Sequence, residues 1–526
     1  MIRRFVRMLA AITAAGVITL SGSAAAQPAH DPSPPGTWAP CALSKQGGQW
    51  AADAPWLLAG WDCAVVNRPL SRSNPRLGTV TLPLVRRQAT GGRADKIGTL
   101  FMNPGGPGQS GIDLSIMWVT LPEAVKERYD FVTWDPRGIN FATPALTGPG
   151  CNIPKASRPA TGPMNWPALL TQRVAQVRAA NARCFAANAN LVNHLGTVEN
   201  AYDLEALRKF VGDSALTYWG ISYGTLLGST YAQIFPSKVR AMIFDGNMNP
   251  QTTLAGINSG SIAPDDSIGF FLQANPDVAQ QYSQVIRRLN QRPMTLKPVR
   301  APGQRPVLYT RWDLLDVLND SVDFYYERGS DWANARLAIT TAWQAAFGTG
   351  AERHSARAAL LSNGNLNSPP TGTVGSLWSA VVCQDFADRI SLSAQQRLLK
   401  WDVLQGPLYG GTLGMDYLTT CNGYGAATPH PVPVPTAYGP AVNGLILNTT
   451  HDGETPYQWA VNMARTYPSM TMVTLVGGIH GSFGIGNSPC VDAAGVNLLV
   501  QGGLGGVDGT TMDQACPFAA PPANAP

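Results

Sequence analysis

Runs of apolar residues divide the first part of the chain into strands and helices. Residues 77–85 alternate between apolar and polar positions, which predicts a strand, and the apolar run at residues 98–102 predicts a buried strand. Residues 129–134 predict a third strand. Between Thr197 and Gly212 the apolar residues recur at helical spacing, and Thr197 is a residue type that caps helices.

The same alternation continues around one serine. An apolar run beginning at Leu216 ends at Ser222, a helical pattern then extends to Pro236, and residues 239–244 predict another strand. Strands that alternate with helices in this way form parallel sheets. The sequence therefore predicts an α/β fold with a mostly parallel central sheet and helices on both faces.

From about residue 250 to residue 430 the alternation stops, and the chain becomes rich in helical patterns, tryptophan and tyrosine. A section of this length inside an α/β sheet has to lie above or beside it. We interpret it as a helical cap that covers the mouth of the site and limits access. Strand patterns return at residues 444–448 and 471–476.

Composition is that of a globular exported protein, with 526 residues of which 44% are hydrophobic and 13% charged. The predicted organisation has four parts, namely a signal peptide at residues 1–26, a first part of the core at 27–250, a helical cap at 251–430 and a C-terminal part of the core at 431–526.

The first 26 residues have the features of a secretory signal. A basic start precedes an apolar run from Met8 to Leu20, and Ala24 to Ala26 form a cleavage site before Gln27. Arg3 and Arg4 make a partial twin-arginine motif, so the export route stays open. The apolar run is too short for a membrane anchor. We expect a secreted or periplasmic protein.

Removal of the three leader arginines lowers the formal charge from +5 to +2. This balance gives no indication of binding to nucleic acid or to a membrane surface. We expect a monomer that needs no cofactor. A metal site is not expected, because the histidines are scattered and no zinc-binding spacing of cysteine or histidine occurs.

Eight cysteines follow the leader, and an even number in an exported chain predicts disulfides. Their order favours pairing between neighbours, with free buried thiols as the alternative; the predicted pairs are Cys41–Cys63, Cys151–Cys184, Cys383–Cys421 and Cys490–Cys516.

Ser222 lies in the motif Gly220-Ile-Ser-Tyr-Gly224, between a predicted strand and a predicted helix. This context is the one that a nucleophile elbow requires, since the glycines let strand and helix pass closely and the serine is raised on a sharp turn. Helix amides would then point at negative charge forming beside Ser222. The sequence predicts a nucleophilic serine here.

A glycine-rich loop, Asn103-Pro-Gly-Gly-Pro-Gly108, follows the predicted strand at residues 98–102. Such density of glycine indicates close approach of backbone to another group, which in a serine hydrolase is the substrate carbonyl. We predict that the amide of Gly105 or Gly106 pairs with that of Tyr223 as an oxyanion hole.

A nucleophilic serine needs a base, and the base needs an acid that orients it. In the chain order serine, acid, histidine, His480 is the base, because His451 directly precedes its nearest acid. We choose Asp452 as the acid, after the strand pattern that begins at residue 444. Asp245, at the end of an earlier strand, and Glu454 remain rival acids.

The turn Asp135-Pro-Arg-Gly138 closes another predicted strand. We interpret Asp135 and Arg137 as a structural ion pair near the site, in preference to a catalytic role.

Together these motifs resemble the secreted tripeptidyl and prolyl aminopeptidases of the α/β-hydrolase superfamily. The likeness rests on the glycine-rich loop with Ser110-Gly111, Asp135-Pro-Arg-Gly138, Gly220-Ile-Ser-Tyr-Gly-Thr225, Thr455-Pro456 after Asp452, and Gly478-Ile-His-Gly481. It implies an α/β-hydrolase fold in which Ser222 is nucleophile, Asp452 acid and His480 base, acting on peptides near a free N-terminus. Departures at Ile139–Pro144 and in the segment Asp452-Gly-Glu-Thr-Pro456 bear on the substrate more than on the chemistry.

In such relatives, carboxylates of the cap hold the ammonium group of the substrate. The candidates in this chain are Asp323, Glu327 and Asp385, each with a purely structural role as the alternative. A carboxylesterase that uses the same three residues on small esters is the competing function, since ester and amide acyl transfer need the same parts. A third hypothesis is a binding protein built on an inactive hydrolase scaffold. The sequence disfavours it, because all the catalytic residue types are present.

Overall fold

The structure is a computed structural model, and it describes residues 37–44, 49–52, 54–146, 151, 153, 158–297, 306–323, 331–362, 373–424, 432, 439–485, 488–502 and 514–517. The predicted signal peptide and Glu327 lie outside these residues.

A ten-stranded sheet runs through the described part of the molecule in the order β1-β2-β3-β5-β4-β6-β7-β10-β11-β12. From β5 to β12 all neighbours are parallel, and β1, β2, β3 and β5 pair antiparallel. The strands are β1 (Ala39–Pro40), β2 (Asp62–Pro69), β3 (Thr79–Arg87), β4 (Gly98–Asn103), β5 (Tyr129–Trp134), β6 (Leu216–Ile221), β7 (Val239–Asp245), β10 (Gly444–Thr449), β11 (Thr471–Val476) and β12 (Gln514–Pro517), while β8 (Met294–Leu296) and β9 (Val307–Tyr309) form a separate hairpin.

Fifteen α-helices have both ends within the described residues. They are α1 (Glu123–Arg128), α2 (Trp166–Val192), α3 (Thr197–Val211), α4 (Tyr223–Ile234), α5 (Leu254–Ile257), α6 (Ala263–Ala274), α7 (Pro276–Gln291), α8 (Arg311–Asp323), α9 (Asp331–Phe347), α10 (Gly350–Ser362), α11 (Thr373–Asp385), α12 (Leu392–Gln405), α13 (Gly410–Thr419), α14 (Tyr457–Thr466) and α15 (Pro489–Gln501).

Both faces of the sheet are buried, because successive residues of a strand point to opposite sides. Tyr218 of β6 joins the core under α3 and α4, and the next residue, Trp219, joins the core under α1 and α15. The predicted arrangement, a mostly parallel sheet with helices on both faces, is confirmed. Strand patterns at residues 129–134 and 471–476 have the predicted bounds.

The helical section between β7 and β10 has a core of its own. Ile268 of α6, Leu289 of α7, Leu315 of α8 and Ile339 of α9 are fully buried within it. A helical section therefore stands where the sequence predicts a cap, although the predicted boundaries of the four parts stay a prediction.

The helix predicted after Thr197 is present as α3, but its cap differs from the prediction. Gly196 is the N-cap and Thr197 is the first helical residue, without a side-chain cap bond. The Thr197 hydroxyl instead bonds to Asp385 and to the Tyr223 hydroxyl, so its side chain is used for contacts between helices.

Four disulfides join the cysteines in the predicted pairs, Cys41–Cys63, Cys151–Cys184, Cys383–Cys421 and Cys490–Cys516. The prediction that neighbouring cysteines pair is confirmed. No helix within the described ranges is long and apolar enough to cross a membrane.

Candidate active site

Ser222 lies at the junction of β6 and α4 in a backbone conformation that is unusual for a residue with a side chain, with φ 58° and ψ −125°. Such strain persists only where the surroundings impose it. A Cβ on Gly220 would lie 2.4 Å from the Gly224 carbonyl oxygen, and a Cβ on Gly224 would lie 2.6 Å from the Asn103 carbonyl oxygen. The motif therefore needs both glycines, as the sequence predicts.

Two further hydrogen bonds hold this turn. The Ser222 amide donates to the Asp245 carbonyl at 2.9 Å, and the Tyr218 hydroxyl donates to the Gly224 carbonyl at 2.8 Å. Ser222 itself is partly exposed, whereas its neighbours Ile221 and Tyr223 are buried. The geometry is that of a nucleophile elbow, with a hydroxyl presented at the carboxyl end of the sheet.

His480 and Asp452 meet in the loops that follow β11 and β10. The His480 Nδ1 lies 2.9 and 3.0 Å from the two carboxylate oxygens of Asp452, and both residues are almost fully buried. A carboxylate accepts only, so Nδ1 must carry the proton, which leaves Nε2 unprotonated in the neutral imidazole. This is the tautomer that a general base requires.

The Asp452 carboxylate is itself fixed by its own loop. Its Oδ1 accepts hydrogen bonds from the amides of Glu454 at 2.9 Å and Thr455 at 2.7 Å. The Thr455 Oγ1 also lies 3.3 Å from the His480 Nδ1. The sequence analysis does not place Thr455 at the site. The two hydrogen bonds form an Asx turn, in which an aspartate side chain accepts from backbone amides that follow it in the chain.

The rival acids contact other groups. Asp245 accepts hydrogen bonds from the Ser482 amide and hydroxyl and from the Phe483 amide, at 2.8 to 2.9 Å. Burial raises the pKa of Asp245 to about 6. Asp245 thus holds the loop that follows His480, and the imidazole Nδ1 is hydrogen-bonded to Asp452.

The His480 loop lies beside the elbow. A Cβ on Gly246 would lie 2.9 Å from Cε1 of the His480 ring, and a Cβ on Gly481 would lie 3.6 Å from Ile221 Cγ2. These contacts place the His480 loop at the carboxyl ends of β6 and β7, the edge of the sheet at which Ser222 lies.

The glycine-rich loop after β4 packs directly on the elbow. A Cβ on Gly105 would lie 2.8 Å from the Ser222 Cβ and 3.1 Å from the Tyr223 nitrogen. The Gly105 amide donates to Asn103 Oδ1 at 3.1 Å, and among the described residues the Gly106 amide has no hydrogen-bond acceptor. This difference favours Gly106, together with Tyr223 at the first position of α4, as the donor pair for an oxyanion.

Asp135 anchors the far end of that loop, and the predicted ion pair with Arg137 is wrong. Its Oδ1 accepts from the Ser110 hydroxyl at 2.6 Å and from the Ile112 amide at 3.2 Å, and its Oδ2 accepts from the Phe141 amide at 3.0 Å. Burial raises the pKa of Asp135 to about 7. The carboxyl group thus ties the glycine-rich loop to the end of β5.

Arg137 points to the opposite side of the turn. Its guanidinium donates to both carboxylate oxygens of Asp203 on α3, at 2.8 and 2.9 Å, and to the Leu70 and His194 carbonyls. Both charged partners are buried, so this bidentate pair fixes α3 against the turn. The sequence contained Asp203, but a partner so distant along the chain carries no local signal.

Two family models match this chain. One is described as alpha/beta hydrolase fold and matches residues 98–305, and the other is described as TAP-like protein and matches residues 406–511. The chain has the α/β-hydrolase fold. Residues 98–305 include the elbow and the glycine-rich loop, and residues 406–511 include Asp452 and His480.

Three curated relatives of this α/β hydrolase cover most of its length. Serine protease Hip1 of Mycobacterium tuberculosis is 28% identical and the match covers 94% of each chain. Tripeptidyl aminopeptidase of Streptomyces coelicolor is 26% identical over 86% of this chain and 84% of the relative. Carboxylesterase B of Mycobacterium tuberculosis is 27% identical over 84% of each chain. The α/β hydrolase is an enzyme of the serine peptidase type.

The carboxylates predicted to bind the substrate amine have different environments in this α/β hydrolase. Asp385 is buried at the end of α11, where its two oxygens accept hydrogen bonds from the Thr197 amide at 2.6 Å and hydroxyl at 2.7 Å. Burial raises the pKa of Asp385 to about 7. These contacts favour the structural alternative for Asp385. Asp323 is the last residue of α8, and Glu327 is outside the described residues.

The sequence did not predict a connection between the helical section and the loop of the candidate acid. The His451 Nδ1 lies 2.9 Å from Asp266 Oδ2 of α6, and the imidazole stacks on Phe270 with ring centroids 4.4 Å apart. From the sequence, His451 is only a candidate base. Its position directly before Asp452 makes it a contact between the cap and the loop of the candidate acid.

No group of three histidine, cysteine, aspartate or glutamate side chains in the described ranges is arranged to hold a metal ion.

Proposed function

We propose that this serine peptidase is an exopeptidase that hydrolyses peptides near a free N-terminus, through Ser222, His480 and Asp452. The observation that carries the proposal is the hydrogen-bonded pair of His480 and Asp452 beside a strained Ser222 elbow. Full-length likeness to a protein named tripeptidyl aminopeptidase supports the substrate class. A helical section between β7 and β10 supports the restriction to a chain end, because a covered cleft disfavours a peptide that runs through it.

Each residue has a defined part in the proposed reaction. The Ser222 Oγ attacks the scissile carbonyl carbon while His480 Nε2 takes its proton, and Asp452 stabilises the resulting imidazolium. The negative oxygen of the tetrahedral intermediate accepts hydrogen bonds from the Gly106 and Tyr223 amides. The intermediate then expels the amine of the C-terminal fragment, which receives the proton from His480.

The N-terminal fragment remains esterified to Ser222 at this stage. A water molecule gives a proton to His480 Nε2 and attacks the ester carbonyl, and collapse of the second intermediate releases the short N-terminal peptide and returns the proton to Ser222. No cofactor is needed for either half of the cycle.

Ser222→Ala tests the nucleophile. We expect the variant to lose nearly all peptide hydrolysis and also labelling by a serine-directed fluorophosphonate, with an unchanged circular dichroism spectrum. If the folded variant still labels, the nucleophile lies elsewhere in the chain.

Mass spectrometry of the products from a panel of free and N-acetylated peptides tests the exopeptidase reading. Release of fragments of one to three residues from free peptides, at least tenfold faster than from their acetylated forms, is the expected result. A charge-assisted contact to an ammonium group is worth ~1.5–3 kcal/mol, which corresponds to about 10- to 150-fold in kcat/KM.

Carboxylesterase activity is the second candidate function, and the full-length likeness to a protein named carboxylesterase B favours it. The same three residues would then act on small esters. Equal rates on free and acetylated peptides, together with much faster turnover of small esters, would reject the aminopeptidase and support the esterase.

We propose a secreted or periplasmic location, supported by the four disulfides and by the leader pattern. N-terminal sequencing of the exported protein is expected to begin at Gln27.

A further inference from the structure

Glu454 is a carboxylate of the candidate site to which the proposed mechanism gives no part. Its amide donates to Asp452 Oδ1 at 2.9 Å, and its carbonyl oxygen would lie 3.5 Å from a Cβ on Gly260. Gly260 belongs to the short 3-10 helix Asn258–Ile262, which precedes α6 in the helical section. Glu454 therefore lies at the boundary between the loop of the candidate acid and the cap.

The Glu454 side chain is partly buried and, within the described part of the chain, makes neither a hydrogen bond nor an ion pair. Burial of an ionised group without a partner is costly. Carboxylates elsewhere in this molecule avoid that cost, as Asp203 does with Arg137 and Asp452 does with His480. Among the described residues, this carboxylate next to the candidate acid therefore lacks a partner that a bound substrate could supply.

Among the residues that the structure describes, four titratable groups lie within electrostatic reach of Glu454. They are His480 and Asp452 of the catalytic loops, Asp320 of α8 and Tyr417 of α13. Burial is the main cause that raises the pKa of Glu454 to about 7. His480 lowers this pKa, whereas the negative charges of Asp452 and Asp320 act in the same direction as burial. A group carrying positive charge would relieve both effects when it binds.

Two aromatic side chains, Tyr417 and Trp378, lie on the same side of the site as Glu454. Tyr417 stacks on Trp378 of α11, with ring centroids 5.6 Å apart and an angle of 21° between the planes. Both rings pack against the core cluster that contains Tyr223 of the elbow. Cations bind favourably over aromatic faces, so the rings and the carboxylate favour the same kind of group.

We propose that Glu454 determines specificity by receiving a cationic group of the substrate on the N-terminal side of the scissile bond. This inference rests on the proposed exopeptidase function. The cation has two possible sources in a peptide, which are the α-ammonium group and the side chain of lysine or arginine.

The experiment compares wild-type enzyme, Glu454→Gln and the matched control Glu127→Gln, which removes an exposed carboxylate of α1. Each is assayed on one peptide in free and N-acetylated form, and on a second pair in which an N-terminal lysine is replaced by norleucine. Fluorophosphonate labelling of Ser222 reports whether the variant retains an assembled site.

Wild type and Glu127→Gln are expected to prefer the free peptide at least tenfold in kcat/KM. In Glu454→Gln the preference falls to within about twofold, chiefly through KM, while Ser222 still labels. If Glu454→Gln loses the preference for the free over the acetylated peptide, the cation is the α-ammonium group. If it loses only the preference for the lysine over the norleucine peptide, the cation is the lysine side chain. A Glu454→Gln variant that labels and keeps both ratios overturns the inference and leaves the exopeptidase in place. If the wild-type enzyme shows no preference for the free peptide, the proposed exopeptidase function itself is contradicted.

The pH dependence gives a second readout. The Glu454 carboxyl loses its charge as the pH falls through about 7, so the wild-type preference for the cationic peptide is expected to decline between pH 8 and pH 6. In Glu454→Gln the ratio should not change over this range. A wild-type ratio that is constant from pH 8 to pH 6 contradicts the assignment.

Discussion

At the scale of single residues, the candidate site depends on which carboxylate fixes the imidazole. His480 Nδ1 donates to Asp452, and Asp452 is held by the amides of Glu454 and Thr455. Asp452→Asn presents a donor at this position, so the imidazole turns to the tautomer that cannot accept the serine proton. We expect kcat to fall by on the order of 10⁴-fold, measured on a free peptide at pH 7.5. Activity within threefold of wild type would transfer the role to Asp245.

At the scale of elements, α6 joins the helical section to the loops of the candidate acid and the candidate base. Asp266 pairs with His451, Phe270 stacks on His451, and Ser267 donates to the Gly478 carbonyl at 3.4 Å. Phe270→Ala removes the ring that covers Gly478 and His451. We expect faster hydrogen exchange of the α6 amides and a severalfold lower kcat. Phe347→Ala, at an exposed position of α9, is the matched control. Unchanged exchange in Phe270→Ala would show that α6 is held by other contacts.

At the scale of the whole molecule, several buried carboxyl groups make stability depend on pH. Burial raises the pKa of Asp135 and of Asp385 to about 7, well above the value for an unfolded chain. The folded protein therefore binds more protons than the unfolded chain, and the free energy of unfolding decreases as the pH rises. Between pH 6 and pH 8 each group contributes a loss of about 1 kcal/mol. We expect a higher Tm at pH 6 than at pH 8 by differential scanning calorimetry, and the opposite order would contradict these assignments.

Disulfides act at the same scale. Each of the four closes a loop between cysteines 22 to 38 positions apart. The pairs follow the order of the chain, because such short loops are formed within one part of the fold. For this reason the connectivity could be inferred from cysteine order.

The sequence by itself determined the local features. Strands such as 129–134, the elbow at Ser222 and the glycine-rich loop follow from side-chain periodicity and from glycines at positions where a Cβ would clash. These features depend on residues within a few positions of one another, so they can be predicted from the sequence without the fold. The order serine, acid, histidine along the chain narrowed the candidate site in the same way.

Tertiary structure decided every feature that joins distant parts of the chain. Four side-chain hydrogen bonds depend on it, namely His480 to Asp452, Ser482 to Asp245, Arg137 to Asp203 and Thr197 to Asp385. Each such contact joins side chains from different elements, and their distance depends on how the sheet and helices pack. Partners 28 to 237 positions apart leave no periodic signal in the sequence. The local chemistry could therefore be predicted, but the partner of each buried charge required the fold.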